Sequence, residues 1–177
     1  MEKEESRVDR LLKLRECSKV RRAHTVPYHG DYTVGQHSFD MLVLLLELHP
    51  NPSRLFMKVV VYHDFGERWV GDVPANTKWA NAEFKNQHEL IEKAAMKDHG
   101  IPDYLDHLDA LDLDWFHALD KLELYMWAED QVANGNRAVQ EVVDNLLGWF
   151  KEKEESHRVP PEIITIVEQY EYRRTRG

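Results

Sequence analysis

Imidazole and carboxylate groups interrupt or flank the most apolar segments of this chain, and that placement limits how the segments can pack. His37 opens SFDMLVLLLEL, His63-Asp64 closes LFMKVVVY, and Asp120 breaks the run WFHALDKLELYMW. A polar group among aliphatic side chains needs a partner once buried, at a cost of roughly 1–3 kcal/mol if it finds none and more if it is charged. The apolar segments must therefore pack with these polar points facing one another.

Each segment has helical spacing. Val8, Leu11, Leu12 and Arg15 recur at helical intervals behind a capping serine. Arg21 to Gly35, RRAHTVPYHGDYTVG, holds Pro27, Gly30 and Gly35 and reads as a loop rich in functional groups. Gln36 to His49 predicts a helix buried on most sides and ended by Pro50 and Pro52, and a third helix runs from Ser53 through LFMKVVVYHD. GDVPANTKW reads as a loop, and AEFKNQHELIEKAAMKDHG as an amphipathic helix closed by Gly100 and Pro102. A short acidic segment leads into a long helix ending at Asn134-Gly135-Asn136, and further helices cover Arg137 to Glu155 and Pro161 to Arg174. Without repeats, sustained heptads or strand-like alternation, the expectation is an all-α, compact single-domain bundle of about seven helices over residues 1–177.

Composition narrows the function classes. A net charge of −9 repels phosphodiester backbones, which argues against a nucleic acid polymer as partner, although a cation and a few aimed basic residues can still hold a small phosphate. The single cysteine, Cys17, excludes a disulfide framework and a cysteine-rich zinc site within one chain. The polar start MEKEESRVDR and the short apolar runs, well under the roughly 20 residues that span a bilayer, predict a soluble cytoplasmic protein with no membrane partner.

Packed side by side, His37, His63, Asp64 and Asp120 can converge on one divalent cation, an N2O2 donor set that leaves room for water and a phosphate oxygen. Such a cation lowers the pKa of water and polarises a phosphoryl group. Glu67 and Asp72, four and nine residues beyond His63, are placed to orient or deprotonate that water. Each residue also has a purely structural use: Asp64 as a turn cap, Asp120 as a partner of Lys121 or Arg137, Glu67 as a partner of Arg68, Asp72 as the start of the turn GDVP.

The ordered set H…HD…D resembles the signature of the HD-domain metal-dependent phosphohydrolases. More narrowly, Arg22 fifteen residues before His37, then YHDxxE and GDxPxxxK between Tyr62 and Lys78, is similar to bacterial 5'-deoxynucleotidases and small phage dATP triphosphohydrolases. The LIEKAAM helix around Glu92 and the Gly135-Asn136 turn extend the likeness to roughly residues 8–136. The resemblance implies an HD-type bundle, metal ligation by His37, His63, Asp64 and Asp120, and water activation by Glu67. It further implies a sugar or leaving-group contact from Asp72 and phosphate contacts from Arg22 and Lys78. Several deoxynucleotidases carry Trp after the motif arginine, where this chain has Ala23, a smaller residue that alters which sugar or base fits.

The expected activity is hydrolysis of deoxynucleotides at the α phosphate with one divalent metal ion, Mn, Co, Zn, Ni, Fe or Mg. Arg21, Arg22, Lys78 and Lys85 as cationic partners for three phosphates, with the small Ala23, tip the expectation toward a dATP-type triphosphohydrolase. The alternatives are a 5'-deoxynucleotidase acting on dNMPs and a catalytically silent nucleotide sensor. A homo-oligomer is expected. His24, His29 and His88 are candidates for the pocket wall, whereas His49, His99, His107, His117 and His157 are expected at the surface, and Trp115, Trp127 and Trp149 in the core or a subunit contact.

Overall fold

A computed structural model describes residues 6–176; the first five residues of the polar N-terminal stretch lie outside it. The helices begin where the sequence supplies a capping oxygen. The Ser6 hydroxyl accepts from Asp9 N ahead of α1 (Arg7–Cys17), and the Thr33 hydroxyl from Gln36 N ahead of α2 (Val34–Leu48). The Ser53 hydroxyl accepts from Phe56 N at 3.0 Å ahead of α3 (Arg54–Tyr62). Two short helices follow, α4 (Glu67–Val70) and α5 (Ala75–Ala80), then α6 (Ala82–Asp98), capped by Asn81. Asp109 caps α7 (Ala110–Ala133), and the chain continues through α8 (Gln140–Glu155) to α9 (Pro161–Arg176).

The all-α expectation holds, with one isolated antiparallel bridge, Arg21 to Thr33, among the described residues. Two details differ. The segment GDVPANTKW, read as a loop, holds most of α5, which starts after Pro74, and α4 precedes it; at six and four residues both are too short to show a period. Helix α2 is not buried on most sides: Phe39 is 65% exposed, and Val43 and Leu46 on the same stripe are exposed as well. Periodicity cannot reveal this, because α2 is apolar on both faces while only one meets neighbours.

Helix α7 is the central element, packing against α2, α3, α8 and α9. Its Leu119, Leu122, Tyr125 and Ala128 are fully buried with Met41 and Leu45 of α2, Phe56 and Val60 of α3, and Val143 of α8. Each large side chain so placed contributes about 1.5–3 kcal/mol. At the end of α7 the chain reverses on Gly135, whose φ of 86° belongs to the left-handed region that glycine enters without strain. This turn holds the loop that precedes α2: Asn136 Nδ2 donates to Pro27 O at 2.8 Å, and Gln131 exchanges two hydrogen bonds with the His29 backbone. The polar loop and the central helix are thus joined close to the residues that carry the chemistry.

Candidate active site

His37 comes from the first turn of α2, His63 caps the end of α3 with Asp64 next to it, and Asp120 projects from the middle of α7. Donor atoms of His37, His63 and Asp64 all lie within 4.8 Å of one another. His37 Nε2 stands 3.2 Å from His63 Nε2 and 3.7 Å from Asp64 Oδ2, and His63 Nε2 is 3.2 Å from the same oxygen. Asp120 Oδ1 reaches His37 Nε2 at 3.2 Å, while its other oxygen accepts from Lys121 Nζ at 2.6 Å.

The far nitrogens show what this cluster is built for. His63 Nδ1 donates to Val60 O at 2.9 Å, and His37 Nδ1 is hydrogen-bonded to Glu123. With their protons on Nδ1, both rings turn an Nε2 lone pair toward the same point, an arrangement that repels itself unless a cation lies between them. The donor set of His37, His63 and Asp64 therefore fits a divalent metal, and Asp120, 3.2 Å from His37 Nε2, stands beside that group without belonging to it. Metal-free His37 still needs positive charge there. Burial and Arg22 oppose its protonation, yet Asp120 and Glu123 outweigh them and hold its pKa above the ordinary histidine value.

The surrounding charges are as tightly arranged. Arg22 is ion-paired with Asp64 and lies 3.7 Å from Glu67 Oε1. Burial opposes charge on Asp64, but His63 and Arg22 hold its carboxyl far below the usual range. Asp120 is likewise depressed, burial being offset by Lys121 and His37. Glu67, 4% exposed, goes the other way: burial, then the Asp64 charge, push its pKa well above that of an ordinary glutamate. Among the described residues, its Oε2 and Arg22 Nε are buried without hydrogen-bond partners, so both have capacity for a ligand. Behind them Gly66 abuts Glu92, where an added Cβ would come within 2.2 Å of Glu92 Cγ; burial and Asp64 raise the Glu92 carboxyl to about 7.

Arg22 and Arg21 separate for a simple reason. Around the bridge to Thr33 the backbone is extended, and successive side chains leave on opposite sides. Arg22 turns inward; Arg21 pairs with Asp31 at 2.9 Å on the surface and is not among the residues that line the cleft. Ala23, with φ of 52°, donates its N–H to Asp72 Oδ2 at 3.0 Å, so Asp72 anchors the inner loop. Ala23, Asp72, Lys78 and Lys85 all line a cleft of about 600 Å³ that opens from Asp64, Glu67 and Asp120.

Several residues of this region were not anticipated. Glu123 and Tyr32 form the layer behind His37: Tyr32 donates its hydroxyl to Glu123 Oε2 at 2.5 Å, and its ring stacks on Trp127 with centroids 4.4 Å apart. The available signal was a second carboxylate three residues after Asp120 in the same apolar run. Trp127, Trp149 and His117 line the cleft, whereas His24, His29 and His88 do not. Because Glu123 orients His37 and fixes its tautomer, Glu123→Gln is expected to weaken metal affinity by about 10–100-fold with the fold intact, measured by metal titration calorimetry.

Fold and site together define an HD-type metal-dependent phosphohydrolase: helices gathering His, His-Asp and Asp side chains beside a buried arginine and glutamate. The family described as YfbR-like, 5'-deoxynucleotidase YfbR-like, matches residues 12–158, and the chain belongs to it. It is thus a deoxynucleotide phosphohydrolase of a family that uses a divalent metal. The fold is similar to the crystal structure of the PH0347 protein from Pyrococcus horikoshii OT3, with a TM-score of 0.66 and 14% identity, covering 92% of this chain and 97% of that one. No curated protein matches it significantly. Among the described residues, no helix is long and apolar enough to cross a membrane.

Proposed function

We propose that the chain is a 5'-deoxynucleotidase that hydrolyses deoxynucleoside 5'-monophosphates to deoxynucleoside and orthophosphate. The observation that supports this reading is the pair of facing His37 and His63 Nε2 atoms beside the buried, partly unpartnered Arg22 and Glu67, which line one cleft with Asp64 and Asp120. The family assignment supports the monophosphate reading over the triphosphohydrolase toward which the cationic residues of the sequence lean.

His37, His63, Asp64 and Asp120 hold the cation, which when bound lowers the pKa of water and polarises the phosphate. Arg22 binds phosphate oxygens through a guanidinium already oriented by Asp64, and Lys78, which lines the same cleft, adds a second cation. Glu67 takes the proton of the attacking water as the bond to phosphorus forms and the P–O5' bond breaks, and that proton is passed on to the departing O5' to give the free deoxynucleoside. Asp72 has one oxygen engaged by Ala23 N and offers the other to a deoxyribose hydroxyl, while the Ala23 methyl leaves space for the sugar.

One observation favours triphosphate hydrolysis as a second reading. The cleft also carries Lys121, Lys153 and Arg158, cations that further phosphates would engage. Arg158 is, however, bound to Asp114 through two nitrogens at 3.0 and 2.9 Å. The test is incubation with Mn, Co, Zn or Mg against dNMPs, dNTPs and matching ribonucleotides, with the phosphorus products resolved by chromatography. Orthophosphate from dNMPs is expected. Triphosphate from a dNTP would replace the proposal with the second reading, and binding without product under every metal would make the chain a sensor.

A further inference from the structure

Tyr32 stands between the cation site and the phosphate-binding arginine, wholly buried although it borders the cleft. A buried tyrosine needs a partner for its hydroxyl, and here that partner also serves His37. Glu123 Oε2 accepts from the Tyr32 hydroxyl at 2.5 Å and is hydrogen-bonded to His37 Nδ1 as well; the hydroxyl lies 3.4 Å from Nδ1 itself. A glutamate side chain has several rotatable bonds, so it orients an imidazole only as firmly as it is itself held. The hydroxyl supplies that hold, keeping the proton on Nδ1 and the lone pair on the Nε2 that faces His63.

The rest of Tyr32 meets the arginine. Its carbonyl accepts from Arg22 N at 2.9 Å, and the guanidinium carbon of Arg22 lies over its ring, 5.7 Å from the centroid. That separation is within the range of cation–π attraction, which strengthens where water is excluded. The ring is fixed in turn: it stacks on Trp127 with centroids 4.4 Å apart and planes 13° from parallel, and Tyr28 meets the same Trp127 edge-on at 5.4 Å. On the other side of the Arg21 to Thr33 bridge, Val34 N donates to Val20 O at 2.9 Å, so Tyr32 cannot shift without disturbing both the start of α2 and the segment that carries Arg22.

We propose that Tyr32 is a positioning residue that serves the two halves of the site with separate parts of one side chain. Its hydroxyl, acting through Glu123, aims His37 at the cation, and its ring holds the Arg22 guanidinium toward the phosphate. The inference rests on the reading of His37 as a metal ligand and Arg22 as a phosphate contact, and it is the same for a monophosphate or a triphosphate substrate.

The probes are Mn alone and inorganic phosphate at saturating Mn, both titrated by calorimetry, with thermal melts in chelator to show that each variant is folded. Tyr32→Phe removes the hydroxyl and keeps the ring. It is expected to weaken Mn binding about tenfold, as loss of an outer partner of a ligating histidine does, and to leave phosphate affinity at saturating Mn unchanged. Adding Tyr32→Phe to Glu123→Gln should weaken Mn binding little further, because the hydroxyl acts through the carboxylate. Tyr32→Leu removes the ring too and should in addition weaken phosphate binding about fivefold. If Tyr32→Leu does not fold, Trp127→Leu, which frees the ring from its stack, replaces it with the same expected direction. A purely structural tyrosine would lower the melting temperature and move neither affinity in the folded protein. Unchanged Mn affinity in Tyr32→Phe, additive losses in the double variant, or phosphate affinity in the Leu variant equal to that of Tyr32→Phe would overturn the assignment. Orthophosphate release from dNMPs by the parent protein is measured alongside; its absence with the Tyr32 effects preserved strikes the nucleotidase reading and leaves the positioning role standing.

Discussion

Asp64→Ala is expected to abolish hydrolysis and cation binding together, with kcat/KM lowered about a thousandfold or more. Asp64 bridges both histidines and Arg22: its Oδ2 is 3.2 Å from His63 Nε2, 3.7 Å from His37 Nε2 and ion-paired with the guanidinium. Removing it takes away one metal ligand and the group that aims Arg22 at the phosphate. It also leaves a buried guanidinium with only Glu67, at 3.7 Å, as a carboxylate neighbour, a loss of about 3–5 kcal/mol in similar buried pairs. The variant should therefore melt earlier, and Asp64→Asn, which keeps the shape, separates the charge effect from misfolding. Mn titration by calorimetry and orthophosphate release are the measurements. Full activity in a folded Asp64→Ala protein would remove this residue from the site.

How much of this site the sequence discloses depends on the distance over which each residue acts. His37, His63-Asp64 and Asp120 are legible because each is a polar interruption of an apolar helix, a conflict resolved only by convergence. Glu67 and Asp72 are legible by proximity to His63. Glu123 was missed because its role depends on the crossing of α2 and α7, which brings it to the Nδ1 of a ring opened 86 positions earlier. His117 is exposed and Trp127 and Trp149 pack against the core, as expected, but all three also border the cleft. Periodicity shows that α7 and α8 have apolar faces, but not which side chains of those helices also border a cleft. Arg21 and Arg22 are indistinguishable by composition and are told apart only by the extended pairing with Thr33. The seven longer helices were visible from caps and period, and α4 and α5 from neither.

Glu67→Gln is expected to separate catalysis from metal binding and stability. Glu67 sits on the single turn of α4, 4% exposed, outside the group of donor atoms formed by His37, His63 and Asp64. Glutamine preserves its shape but cannot take a proton, so turnover should fall about 10²–10⁴-fold while Mn affinity stays near that of the parent protein. Stability should move the other way. Burial and the Asp64 charge raise the Glu67 pKa above its ordinary 4.5, so the folded, metal-free protein binds a proton that the unfolded chain releases. The associated stability is fully present below pH 4.5 and is lost as pH rises through the folded-state value. Glutamine never ionises and never incurs that loss, so the metal-free variant should melt higher than the parent at pH 8 and equally at pH 4. Thermal melts of both proteins in chelator, with metal titration and turnover on the same preparations, test all three expectations. Loss of metal affinity would make Glu67 a ligand, whereas retained turnover would assign the proton transfer to Asp72, the other carboxylate on this wall of the cleft.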